Sequence, residues 1–259
     1  MARKDNPERR MGLGAHFKEL RRRLFLAALG ILVGAVVGWI LFERVFEQLQ
    51  QPLLDAAARH DKIITINFAG MTSAIDVHIK VALFLAVLIT SPWWLYQVWA
   101  FITPGLTKRE KRYTFGFLGA AVPLFLAGAA AAWFLLPHAV DVLTEFVPDN
   151  SSNLTDAQMY LSFVMQLMLA FGLAMVLPVA MVAVNFMGLV RASTWARGWR
   201  WAIVVAFLFA AIMTPTPDAW TMILVALPIC VLYVVALGVC TLHDRRADKA
   251  HEAFVAASV

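Results

Sequence analysis

Two acidic residues stand inside basic clusters, and their position suggests binding chemistry. Glu19 follows Lys18 and precedes a run of three arginines, and Glu110 lies between Arg109 and Lys111. A guanidinium presents a planar fork that one carboxylate can bind with two hydrogen bonds, whereas a lysine offers only a point charge. Two such carboxylates could distinguish an arginine pair from other basic peptides. Their basic surroundings would repel a cationic ligand that does not match.

A simpler interpretation is that both acids only balance neighbouring charges. Glu19 and Arg23 are four residues apart, the spacing of a helical ion pair, and Glu110 has basic neighbours on both sides. Exposed pairs of this kind contribute only about 0.3 to 0.5 kcal/mol and are common. From the residues alone, this interpretation is favoured over the binding site.

Other chemistry is poorly represented in the sequence. The histidines are scattered, and Cys230 and Cys240 lie ten residues apart in one apolar segment, about 15 Å along a helix, which is too far for a disulfide. No nucleotide-binding glycine loop or serine nucleophile motif occurs. The sequence therefore predicts no catalytic residues, no metal, no cofactor and no nucleic-acid partner.

The composition is that of a membrane protein. Of 259 residues, 61% are hydrophobic and only 15% are charged, and the mean hydropathy is +0.72. A hydrocarbon core of about 30 Å requires roughly 20 helical residues. Six apolar segments are found, at Leu24–Phe42, within Val81–Ile102, at about 113–136, within Ala157–Val190, at Trp201–Met213 and at Ala219–Leu242.

The fifth segment is short, because its 13 residues reach only about 20 Å as a helix. A re-entrant loop there would leave five crossings and place the carboxyl terminus outside. With six crossings, all but four of the 22 lysines and arginines fall on one face, the exceptions being Arg44, Arg59, Lys62 and Lys80. The positive-inside rule then favours six helices with both termini in the cytoplasm.

Prolines and glycines shape these segments. Pro92 and Pro178 should bend helices two and four and create a concave face, and Pro52 should mark a turn or kink in the outer loop. The first span carries a glycine at every fourth position, namely Gly30, Gly34 and Gly38. This face permits close helix packing, within the chain or with a partner's helix, and packing within the chain is favoured.

The chain is expected to divide into a flexible cytoplasmic arm (1–15), a six-helix membrane domain (16–245) and a cytoplasmic tail (246–259). An amphipathic helix at Ala15–Arg23 should continue into the first span.

Asp76 and Lys80 should pair at the outer end of helix two. Tryptophans near the end of span two, including Trp93 and Trp99, are typical of a membrane-interface belt.

Several motifs together resemble the TatC family, the receptor subunits of the twin-arginine protein translocase, over about residues 15–245. The matching residues are His16 to Leu24, Tyr96 to Leu106 followed by Glu110 and Arg112, Tyr160 to Phe163, Phe171-Gly172 with Pro178-Val179, and Thr214-Pro215 with Pro217-Asp218. The first two motifs are highly specific in combination.

The resemblance implies six helices with cytoplasmic termini, the fifth and sixth being short, in the cytoplasmic membrane of a prokaryote. It implies binding of the twin-arginine signal peptides of folded precursors, and recruitment of small single-span subunits of the TatA and TatB type. Membrane lipids and several copies in a hetero-oligomer are also expected, with transport driven by the proton-motive force. Signal-peptide binding would involve Glu19, Glu110, Arg21, Arg23 and Arg109, so the resemblance reverses the preference for simple ion pairs.

One position departs from the family pattern. Many members carry an acid or glutamine within the membrane where this chain has Val176. Gln166 is a candidate replacement for organising a partner helix, although the helical turn places these two positions on different faces. The residues expected to contact a partner helix or to have a structural role are Gln166, Val176, Pro178, Pro52, Asp218, Gly30, Gly34 and Gly38.

Two other functions remain possible, a small-solute or proton-coupled carrier and a structural assembly hub. A carrier requires polar groups at mid-membrane depth, whereas a receptor requires them at the cytoplasmic rim. The polar residues of this chain concentrate at the rim. This distribution favours the receptor.

Overall fold

The computed structural model describes residues 13–59, 64–68, 70, 72–102, 111–145, 153–213 and 219–257. These residues form eight helices and two short strands. In chain order they are α1 (Leu13–Arg59), β1 (Ile64–Asn67), α2 (Ser73–Ile89), α3 (Ser91–Ile102), α4 (Lys111–Glu145), β2 (Asn153–Asp156), α5 (Ala157–Phe186), α6 (Ala192–Arg197), α7 (Trp199–Met213) and α8 (Ala219–Ala257).

The apolar helices match the six predicted segments. Among the described residues, α1, α4, α5 and α8 are long and apolar enough to cross a membrane, and α2 with α3 forms a fifth candidate that bends by 65° at its break. Helix α7 is the short fifth segment, with 15 residues. The prediction of a helical membrane protein is confirmed.

Two helices are longer than the sequence predicts. Helix α1 continues for 47 residues and includes Pro52, so the proline does not end the helix in a turn. Pro52 and Leu53 are buried, and the Leu49 carbonyl accepts a hydrogen bond of 3.1 Å from the Tyr160 hydroxyl. Pro52 removes the hydrogen bond to the Gln48 carbonyl, and these contacts hold the helix against its neighbours at that point. Helix α8 continues to Ala257, so the described part of the tail is helical.

The described residues divide between two compact units. Unit 1 lies within Met1–Gln48 and Phe68–Val122, and unit 2 lies within Leu49–Asn67 and Pro123–Val259. The amino-terminal arm before Leu13 lies outside the described residues.

In unit 1, α1 packs against α2 and α3 through its glycine face, which consists of Gly30, Gly34 and Gly38. A Cβ atom at Gly34 would lie 2.6 Å from Thr90 Cγ2, and one at Gly38 would lie 3.0 Å from Ala82 Cα. A Cβ atom at Gly30 would collide with the indole ring of Trp93. The glycine face is therefore occupied by helices of the same chain.

The break between α2 and α3 lies beside Pro92. Thr90 has φ −87° and ψ 12°, outside the helical region, and its hydroxyl donates to the Ala86 carbonyl at 2.7 Å. Pro92 is the second residue of α3, where its missing N–H costs nothing because first-turn donors have no partner within the helix. The proline therefore begins a new helix instead of bending a continuous one. Asp76 and Lys80 in α2 form the predicted ion pair, with Nζ and Oδ2 2.8 Å apart.

In unit 2, α8 packs against α5, α6 and α7. Another close approach joins α4 to α5, because a Cβ atom at Gly128 would lie 2.6 Å from the Phe171 carbonyl oxygen and one at Gly172 would lie 2.8 Å from the Phe125 ring. Phe125 is fully buried. Small residues again permit contact between helix backbones.

Unit 2 also contains a feature that the sequence did not predict. Strands β1 and β2 pair in parallel, with Ile64 opposite Asn153 and Asn67 opposite Asp156. The Asp156 carboxylate then caps α5 by accepting a 2.8 Å hydrogen bond from the Met159 N–H. The β-branched residues of β1 were the available signal, but parallel pairing depends on a partner far away in the chain.

Replacement of Gly38 by alanine should destabilise unit 1. The added Cβ meets the backbone of Ala82, which cannot rotate away, so we expect a loss of about 1 to 3 kcal/mol from overpacking. Gly238→Ala is the matched control, because a Cβ there meets nothing within 4 Å. Thermal denaturation of both variants in the same detergent measures the difference. Equal denaturation temperatures would contradict the proposed packing.

Candidate functional site

Glu19 lies in a polar cluster between α1 and α3, called here the α1–α3 cluster and formed by Glu19, Arg23, Tyr96 and Gln97. Arg23 Nε donates a 2.7 Å hydrogen bond to Glu19 Oε1. Arg23 Nη1 donates a 3.0 Å hydrogen bond to Gln97 Oε1. The Arg23 guanidinium carbon lies 6.0 Å from the centre of the Tyr96 ring.

Packing fixes where these groups lie. The Trp93 indole N–H donates to the Leu26 carbonyl at 2.8 Å, one helical turn beyond Arg23. Near the beginning of α1, the ring of His16 stacks on Phe101 with their centres 4.5 Å apart. Contacts on both sides of the α1–α3 cluster therefore hold α1 beside α3.

The cluster combines exposed and buried groups. Gln97 is only 2% exposed, whereas the side chains of Arg23 and Glu19 retain 23% and 19% of their full exposure. A carboxylate, an amide oxygen and an aromatic ring are all suited to a guanidinium. The arrangement can bind that group, and Arg23 supplies it within the chain.

The structure brings together only part of the predicted binding set. Arg21 is exposed on α1, while Glu19 and Arg23 form the ion pair that their spacing predicts. Arg109 and Glu110 lie outside the described residues. The geometry of a two-carboxylate site is therefore not described, and the roles of these five residues stay predictions.

The residues predicted for a partner helix lie in different environments. Gln166 is exposed on α5, whereas Val176 is 9% exposed and Pro178 is buried. The glycine face packs within the chain, Pro52 is buried inside α1, and Asp218 lies outside the described residues. Gln166 and Val176 therefore do face different directions.

Two other features differ from the sequence analysis. Trp99, expected in an interface belt, is 2% exposed and stacks on Phe117 with ring centres 4.2 Å apart. It belongs to the core of unit 1. Gln97 was not predicted as a site residue, although its place within the matched motif was the signal that could have found it.

A second polar cluster lies in unit 2, where Asp244 of α8 joins α5 to α6. One carboxylate oxygen accepts from Asn185 Nδ2 at 2.9 Å, and the other accepts from the Ala192 N–H at 2.7 Å. Asn185 is 2% exposed and also donates to the Val190 carbonyl at 2.9 Å. These bonds use the carboxylate to connect three helices, which indicates a structural role.

In the part of the chain that the structure describes, no group of three or more His, Cys, Asp or Glu residues could hold a metal ion. The fold and the α1–α3 cluster define a multi-pass membrane protein with a polar cluster between two of its helices. Its similarity to known proteins identifies the family to which the chain belongs.

The model of the family described as Sec-independent protein translocase protein (TatC) matches residues 15–228. A TatC protein of Xylanimonas cellulosilytica is 61% identical over 241 residues, covering 93% of this chain and 87% of its own length. The TatCy protein of Bacillus subtilis is 30% identical, with 94% of each chain covered. The chain belongs to the TatC family and is a component of the twin-arginine translocation system.

Solved structures agree with this assignment. A crystal structure of the twin-arginine translocase receptor TatC superposes with a TM-score of 0.70 at 31% identity, over 88% of this chain and 98% of that one. A second crystal structure, obtained in DDM, gives a TM-score of 0.72. The family is a component of a protein translocase, so the small-solute carrier is set aside.

Replacement of Asp244 by alanine should loosen the carboxyl-terminal part of unit 2. Buried Asn185 and the first N–H of α6 would lose their acceptor, and we expect a loss of about 1 to 3 kcal/mol. Asp248→Ala is the control, because its pair with Arg191 is 3.6 Å long between exposed side chains and contributes about 0 to 1 kcal/mol. Thermal aggregation in detergent should distinguish them. A similar small effect of both variants would contradict the structural role.

Proposed function

We propose that this protein is the membrane receptor for twin-arginine signal peptides. Glu19 and Glu110 would each bind one guanidinium of the signal at the cytoplasmic face. Arg21, Arg23 and Arg109 would shape the site and repel basic peptides that lack the matching geometry. The protein would then recruit single-span subunits of the TatA and TatB type, and the proton-motive force would drive export of the folded precursor.

The observation that carries the proposal is the pairing of Glu19 with a guanidinium. Its carboxylate accepts a 2.7 Å hydrogen bond from Arg23 Nε while remaining partly exposed. A charge-assisted bond of this length is among the stronger protein hydrogen bonds. Glu19 therefore has the chemistry and the access that an arginine from outside would require.

Family membership supports a role for Glu110 as the second carboxylate of the site. Glu110 follows the motif Tyr96 to Leu106 in the matched region and immediately precedes α4. Both solved relatives are twin-arginine translocase receptors. A pair of carboxylates on separate helices or loops would match two adjacent arginines better than either acid alone.

The proposal includes an orientation and a location. The asymmetric distribution of lysines and arginines supports cytoplasmic termini in the plasma membrane of a prokaryote. In this orientation the beginning of α1 and the end of α3 lie on the cytoplasmic side. Precursors carrying a twin-arginine signal would meet the α1–α3 cluster before membrane transfer.

Replacement of both acids should abolish recognition of the arginine pair. We expect Glu19→Gln with Glu110→Gln to weaken binding of a fluorescent twin-arginine peptide by about 100-fold or more, because two charge-assisted contacts are lost. Fluorescence anisotropy on the full chain in detergent measures the affinity. Glu43→Gln with Glu47→Gln, which likewise removes two negative charges, from exposed positions of α1, is the control and should bind like the parent protein.

A twin-lysine version of the peptide completes this test. The parent protein should bind it at least tenfold more weakly, because lysine cannot use the fork geometry. Equal binding of the two peptides would overturn the receptor proposal. Unchanged binding by the double variant would overturn it as well.

Gln166 is the proposed polar contact for a partner helix. An exposed amide on an apolar span finds no hydrogen-bond partner in lipid, whereas a polar group on a neighbouring helix can supply one. We expect Gln166→Leu to weaken co-purification of a single-span subunit by about three- to tenfold. Gln48→Leu, at an exposed position of α1, is the matched control. Equal recovery from both variants would assign the partner contact elsewhere.

A further inference from the structure

The Arg23 side chain occupies acceptors that suit an incoming arginine. Its Nε bonds to Glu19 Oε1 at 2.7 Å, and its Nη1 bonds to Gln97 Oε1 at 3.0 Å. We propose that the α1–α3 cluster is a guanidinium-binding subsite which Arg23 fills in the free protein, and that an arginine of the signal peptide displaces Arg23 from it. This inference rests on the proposed receptor function and identifies Gln97 and Arg23 as its specificity-determining residues.

Each surface of the subsite matches a guanidinium. The Glu19 carboxylate neutralises the charge, the Gln97 oxygen accepts a second N–H, and the Tyr96 ring lies within cation–π range. Arg23 uses two different nitrogen atoms for its two hydrogen bonds. A lysine has a single nitrogen on a flexible chain and does not reproduce this geometry.

Burial makes Gln97 the discriminating group. Gln97 is 2% exposed, so water does not easily replace the N–H that Arg23 supplies. When one guanidinium replaces another, both hydrogen bonds form again. When a lysine replaces Arg23, it brings no second guanidinium nitrogen for the Gln97 oxygen. Leaving this buried acceptor unpaired costs binding free energy. The subsite therefore favours arginine through the penalty that it imposes on lysine.

The same arrangement makes binding competitive. Arg23 lies one helical turn from Glu19 on α1, so its guanidinium remains close to the subsite after displacement. The two side chains are partly exposed, which gives an arriving arginine access and gives Arg23 a route into solvent. Every ligand must therefore replace an existing pair, and the affinity is lower than that of an empty subsite.

A positioning role for Arg23 predicts the opposite result. If Arg23 stays in place and only orients Glu19, its removal should weaken binding of the twin-arginine peptide. If Arg23 competes, its removal should strengthen binding. The sign of the change in Kd therefore separates the two roles.

The test compares Arg23→Gln with Arg22→Gln in the full chain. Both variants remove one positive charge from neighbouring positions of α1, and Arg22 is exposed. We expect Arg23→Gln to lower the Kd of a fluorescent twin-arginine peptide about three- to tenfold relative to Arg22→Gln, because a partly exposed ion pair no longer competes. An equal or higher Kd for Arg23→Gln overturns the proposal.

A second variant tests discrimination. Gln97→Met keeps the side-chain length and removes the oxygen acceptor, so the preference for the twin-arginine over the twin-lysine peptide should fall about tenfold. Preservation of that preference in a protein with parental thermal stability overturns the role of Gln97. If Gln97→Met does not fold, Arg23→Gln alone decides the proposal.

The parent protein and Glu19→Gln separate failure of this inference from failure of the receptor proposal. Absence of any preference for the twin-arginine peptide in the parent protein, or no effect of removing the acids, rejects the receptor itself. If binding depends on Glu19 but Arg23→Gln and Arg22→Gln have the same Kd, only the proposed exchange of guanidinium groups is rejected.

Discussion

The close approach of α1 to α2 and α3 is the contact on which unit 1 depends. In a membrane, lipid is as apolar as the helix surface, so helices associate through van der Waals packing and hydrogen bonds. The glycine face of α1 supplies both, because it brings the backbone of α1 against Ala82 and allows Trp93 to reach the Leu26 carbonyl. A larger side chain at any of its three positions would meet another atom at less than contact distance.

The α1–α3 cluster follows from that packing. Glu19 and Arg23 are neighbours on one helix, but the second acceptor of the guanidinium belongs to α3, 74 residues further along the chain. The bend after α2 gives α3 a direction of its own, and the stacking of His16 on Phe101 holds it beside the beginning of α1. A partly exposed ion pair thereby gains a buried hydrogen-bond acceptor, Gln97, and an aromatic neighbour, Tyr96.

Unit 2 uses polar groups in another way. There Asp244 accepts hydrogen bonds from α5 and α6, and the buried Asn185 connects the end of α5 to the turn that follows it. The Asp244 carboxylate bonds a buried amide and a backbone N–H of two other helices and so stabilises a joint, whereas the Glu19 carboxylate is paired with one partly exposed arginine side chain of its own helix. The two carboxylates are similarly exposed, 23% for Asp244 and 19% for Glu19, so the donors that they bond, more than burial or residue type, distinguish them.

The sequence alone determined the membrane class, the six apolar segments and the Glu19–Arg23 pair, because hydropathy and helical spacing are local properties. It did not predict the parallel pairing of β1 with β2, the passage of α1 through Pro52, or the burial of Trp99. Only the tertiary structure decided these features and added Gln97 to the site, since each depends on contacts between residues far apart in the chain.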